Sequence, residues 1–179
     1  MKNRVPIGTF KKALAVVMVL GIAAAGSATA GDLPREAVLP LAMAQKAATA
    51  ALEKCEKDGY KVTVTVADRG GNIRLLMRAD GAAPHTQNSS AKKAYTAASM
   101  RRSTREMAEL IVKVPSLQAL REVNEKFLIL GGGLPIEIDG EVVGGIGIGG
   151  APGDKLDEAC AVEGLKAVNA NVKPDWAGK

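Results

Sequence analysis

Alternation of apolar and polar positions is clearest between Val62 and Thr86. Val62, Val64 and Val66 share one face of an extended segment and Thr63, Thr65 and Ala67 the other, the period of two of a half-buried strand. Asp68, Arg69, Gly70, Gly71 and Asn72 then carry turn chemistry, because glycine and asparagine accept positive φ at little steric cost. From Ile73 to Ala79 the alternation resumes, with Ile73, Leu75 and Met77 set against Arg74, Leu76 and Arg78, and it stops at Asp80-Gly81. The pattern predicts a β-hairpin running into a polar loop, Asp80 to Asn88, that holds the only histidine, His85.

Helical spacing flanks this hairpin on both sides. Leu33 to Lys57 places Val38, Leu41, Ala42, Gln45, Ala48, Ala51 and Leu52 at helical spacing, with Pro40 in an early turn or at a kink and Gly59 as the stop. Beyond the loop, Asn88 or Ser89 is a cap for a helix whose inner face reads Ala91, Ala94, Tyr95, Ala98 and Ser99, with Lys92 and Lys93 on the opposite side. Ser103 or Thr104 caps a shorter helix with Glu106 near a capping-box position and Met107, Leu110 and Ile111 as its stripe, ended by Pro115. The last third reads as strands at Phe127–Leu130, Leu134–Ile138 and Glu141–Gly149, the last two joined by Asp139-Gly140, and then a helix from Asp154 through Val168. That order predicts an α+β domain with an antiparallel sheet.

Residues 1–30 change the picture of charge and compartment. Lys2, Arg4, Lys11 and Lys12 precede an apolar run, Ala13 to Ala25, and an A-x-A site at Ala28-Thr29-Ala30, the signature of a secretory leader too short to span a bilayer. The chain is therefore expected to be periplasmic or secreted, with one domain over 31–179 and no membrane anchor after cleavage. Of the net +5 charges four belong to the leader, so about +1 remains and a nucleic-acid partner is not implied. Export also makes a Cys55–Cys160 disulfide the plain reading of the two cysteines, with two buried thiols as the alternative.

Candidate chemistry is sparse. Gly145, Gly147 and Gly149-Gly150 satisfy G-x-G-x-x-G, but the chain ends after one further helix, so a glycine-rich inner strand closely covered by a helix, ligand or second subunit is the better reading. His85 has two readings, an ordinary surface residue of a polar loop, the commoner case for an isolated imidazole, and the candidate metal ligand, suited to haem iron, where one protein ligand suffices. Zinc would ask for more ligands, and the absence of C-x-x-C-H excludes covalent c-type haem attachment. Met77, Tyr95, Thr96 and Thr104 are secondary candidates, each with a packing or capping explanation, and Arg74, Arg78, Lys92 and Lys93 are candidate carboxylate partners. No serine or cysteine has the base and orienting group of a nucleophilic triad, so no catalytic residue is assigned.

The segments VTVADRGGNIRLLMRADGAAPHT, SAKKAYTAAS and LGGGLPIEIDGEVVGGIGIGGAPGDKLDEACAVEGL together resemble the small domain of GlcG-like and HbpS-like haem-binding proteins, also found at the C-terminus of PduO-type proteins. The resemblance spans roughly Leu39 to Val168. It implies a profilin-like, five-stranded antiparallel sheet flanked by helices, a homo-oligomer, often an octamer, and binding of non-covalent haem b or another tetrapyrrole. It leaves three functions in view: a haem sequestering, carrying or sensing protein, a haem-degrading enzyme, and an assembly module for another exported protein.

Overall fold

The computed structural model describes residues 35–177, so the leader lies outside the described residues. Residues from Glu36 onward form one unit. Its sheet is built from β1 (Thr63–Asp68), β2 (Ile73–Arg78), β3 (Gly133–Ile138) and β4 (Glu141–Gly149), all antiparallel, in the order β2-β1-β4-β3. The helices are α1 (Leu41–Lys57), α2 (His85–Met100), α3 (Thr104–Lys113) and α4 (Asp154–Ala167), with 3₁₀ turns at Pro115–Arg121 and Pro174–Ala177.

Four strands replace the expected five. Phe127–Leu130 has the composition of a strand but takes no place in the sheet. The amide of Leu128 donates to Thr96 Oγ1 of α2 at 2.9 Å, and Ile129 packs with Met107 and Ile111 in a small separate cluster, so this run is held against helices. At the far edge the amide of Asn171 donates to the Glu137 carbonyl at 2.8 Å, at the position where another strand would add.

The two faces of the sheet differ in kind. Val64, Val66, Leu134, Ile136, Ile146 and Ile148 meet the alanines of α1 and the inner side of α4 in an aliphatic core. Thr63, Thr65, Gly133, Gly145, Gly147 and Gly149 face α2, as the strand registers require. β1 is thus buried on both faces rather than half-buried, and its threonines are satisfied: Thr63 Oγ1 lies 2.7 Å from Thr86 Oγ1 and Thr65 Oγ1 2.8 Å from Ser90 Oγ. Without side chains on the β4 glycines, α2 rests main chain on main chain. A Cβ on Gly147 would overlap the Ser90 carbonyl and lie 2.5 Å from the Ala94 amide. This is the helix-covered inner strand expected of the glycine run. Gly147→Ala should cost about 1–3 kcal/mol, read from urea midpoints, whereas Gly153→Ala, whose nearest neighbour would be 3.9 Å away, should change little.

Several boundaries shift for local reasons. α1 starts at Leu41, because Leu39 precedes a proline and is drawn into the extended conformation, with Pro40 at φ −66° and ψ 146°. α2 starts at His85, earlier than Asn88 or Ser89, because Pro84 at φ −56° is already set for a helical turn. Its buried face is Thr86, Ser90, Lys93, Ala94 and Ala97, so Lys93 points inward and Ser99 outward, the reverse of the expectation. Ser103 caps α3, accepting from the Arg105 amide at 3.1 Å, while Glu106 accepts from Trp176 Nε1 at 3.1 Å instead of closing a capping box. Asp139 and Gly140 turn the second hairpin with φ of 51° and 80°, as their identities predict.

Candidate functional site

The first hairpin turn and α2 meet in a cleft. Asp68 organises the turn: its Oδ1 accepts from the Asn72 amide and its carbonyl from the Gly71 amide, both at 2.9 Å. That leaves Gly71 at φ +78°, its bare α-carbon against the ring of Tyr95, where a Cβ would lie 2.6 Å from Cδ2. The Phe127 ring is tilted against that of Tyr95, centroids 6.0 Å apart, and Lys126 Nζ sits 5.5 Å from the Tyr95 centroid.

Gly71, Asn72, Ile73, Asn88, Ala91, Lys92, Tyr95 and Lys126 line this cleft, which encloses about 430 Å³. Ile73 gives it an apolar wall that is 56% exposed. Asn88, Ala91, Lys92 and Tyr95 recur at helical spacing, and His85 belongs to the same stripe one turn toward the N-terminus. The imidazole is exposed and sits beyond the lining residues. The cleft wall carries two lysines and no carboxylate.

Of the residues singled out from the sequence, Lys92 and Tyr95 come together in this cleft and His85 adjoins it. Met77 does not: it pairs with Val64 on the aliphatic side of the sheet, with Thr49 Oγ1 4.0 Å from its sulfur. Arg78 turns its guanidinium back onto the Ala82 carbonyl, Nε at 3.0 Å. Thr96 and Thr104 are fully buried and hold backbone: Thr96 accepts from the Leu128 amide and Thr104 from the Gly133 amide, each at 2.9 Å. Asn88 was within reach of sequence reasoning through its spacing to Lys92 and Tyr95. Gly71, Asn72 and Ile73 carry only a hairpin signal in the sequence, and nothing local marks Lys126.

Lys93 belongs to a different, buried constellation. Its ammonium donates to Asp157 Oδ2 at 2.7 Å and to the Ile148 carbonyl at 2.9 Å, and Asp157 Oδ1 accepts from the Ala151 amide at 3.0 Å. Burial pushes the Asp157 carboxyl above its ordinary range, while Lys93 and the Ala151 amide pull it down. Burial likewise raises Glu158, against the hydrogen bonds it accepts from Ser103 at 2.6 Å and from Arg105. Cys55 on α1 and Cys160 on α4 face each other in the core, Cα atoms 5.5 Å apart and sulfurs at bonding distance. Among the described residues no helix is long and apolar enough to cross a membrane.

Residues 39–166 match the family model described as haem degrading protein HbpS-like. Protein GlcG of Escherichia coli K12 is 32% identical over 118 residues, which cover 62% of this chain and 81% of GlcG. Among solved structures, a double mutant of Streptomyces reticuli HbpS superposes with a TM-score of 0.72 at 36% identity, over 91% of this chain and 99% of that one. The PduOC:haem complex gives a TM-score of 0.70 at 26% identity, over 75% of this chain and 98% of that one.

Proposed function

The chain belongs to the HbpS-like family, and from that premise we propose that it is an exported haem-binding protein whose cleft between β2 and α2 receives the macrocycle. The observation that carries this is the cleft itself: an aromatic ring and an exposed isoleucine beside two lysines, with the only imidazole on the same helical stripe. A flat, largely apolar ligand with anionic edges matches such a wall. The likeness to a haem complex supports the same ligand. His85 Nε2 or Nδ1 and the Tyr95 hydroxyl are the donors near the cleft suited to iron, and the turn Asp68–Asn72 positions the tyrosine. Haem, when bound, supplies a redox-active iron. The chain's own part is to orient it, cover one face and offer a donor atom.

Sequestering, carrying or sensing is the role we propose, in the periplasm or outside the cell, for a homo-oligomer that includes the octamer as one form. The family description favours a second reading, oxidative haem breakdown. That reading predicts biliverdin-like products and iron release with a reductant and oxygen, in a reaction that catalase leaves intact.

Titrating the purified protein with hemin tests the leading reading. A saturable Soret shift is expected, and His85→Ala or Tyr95→Phe should change the position or intensity of the band. Non-saturable adsorption that salt removes would overturn it.

A further inference from the structure

Ion pairs among the described residues engage Lys54, Arg69, Lys93, Arg105 and Lys166. Lys92 and Lys126 take part in none of them, yet both line one cleft that contains no acidic side chain. They arrive there independently, Lys92 from the middle of α2 and Lys126 from the segment after the 3₁₀ turn Pro115–Arg121.

Lys126 is placed rather than merely exposed. Asn124 Oδ1 accepts from the Lys126 amide at 2.8 Å, and the Phe127 amide donates to the Asn124 carbonyl at 2.9 Å, so the backbone on both sides of the lysine is fixed. Its ammonium is then held at the Tyr95 ring. Two unpaired cations, one ring face and one exposed isoleucine describe a receptor for a flat apolar body with two separate negative groups.

We infer that Lys92 and Lys126 form a two-point carboxylate clamp, which makes the cleft selective for a planar ligand with two carboxylates over its neutral ester. This rests on the haem reading and adds to it the group that is recognised. Of the cations expected from sequence to meet a carboxylate, Lys92 stays in the clamp, while Lys93 is committed to Asp157 and Arg78 to the Ala82 carbonyl.

The test compares hemin with hemin dimethyl ester on the full exported protein, followed by the Soret band at low salt. The wild type should prefer the diacid by on the order of tenfold, and added salt should shrink the preference. Lys92→Gln and Lys126→Gln should each weaken diacid binding by about three- to fivefold, and the double variant should bind acid and ester alike. Lys113→Gln, on α3, should behave as wild type. Equal wild-type affinity for acid and ester, or a double variant that keeps the preference, would overturn the clamp and leave haem binding standing. Failure of hemin to bind saturably would remove both.

Discussion

Lys93→Met should destabilise the protein by about 3–5 kcal/mol at neutral pH, because it leaves the Asp157 carboxylate buried without its cation. The ammonium has 3% and the carboxylate 5% of its side-chain surface exposed, so solvent can replace neither partner. The deficit should depend on pH in a definite direction. Burial already raises Asp157 above 3.8, and losing Lys93 removes the largest pull the other way. A native state with the higher pKa binds the proton more readily than the unfolded chain, so stability falls as pH rises through the folded value. Urea midpoints of the variant should therefore approach those of the wild type as pH drops from 7 toward the ordinary carboxylate range. A deficit that does not change over that interval would mean the loss comes from packing and not from the stranded charge.

Loss of the Cys55–Cys160 link should be comparably costly. The two residues are 105 positions apart, and closing a loop of about 100 residues is worth up to ~4.7 kcal/mol in the chain-entropy treatment. A Cys55→Ala/Cys160→Ala double variant should melt on the order of 10 °C lower than the oxidised protein. Alkylation under denaturing conditions checks the premise: protein purified without reductant should gain alkyl groups only after reduction. Alkylation without reduction, together with unchanged melting, would show that α1 and α4 are held by packing alone.

Much of the architecture was written in short-range pattern. Both hairpins could be read because their turn residues, Asp68–Asn72 and Asp139-Gly140, sit between segments of alternating polarity, and the backbone adopts the positive φ those residues permit. The errors came from interactions that sequence spacing does not carry. Phe127–Leu130 was indistinguishable from a strand until the Thr96 hydroxyl, far back in the chain, claimed the Leu128 amide. A lysine in a helix ordinarily faces solvent, so Lys93 points the pattern of α2 to the wrong face; only Asp157, far along the chain, explains why it is buried. The site was half legible for the same reason: Lys92 and Tyr95 share a helix with His85, whereas Lys126 reaches them only through tertiary packing.

The seating of α2 on the glycines of β4 bears on how a ligand would be received. Side chains between two elements can re-rotamer and absorb a displacement, but at Gly145 and Gly147 the backbone of β4 meets the backbone of α2 directly, with no side chain there to yield. The helical wall that carries Asn88, Lys92 and Tyr95 is in effect bolted to the centre of the sheet. Recognition at that wall is then of the lock-and-key kind: little ordering cost falls on the protein when the guest arrives, and discrimination comes from a shape fixed before the encounter.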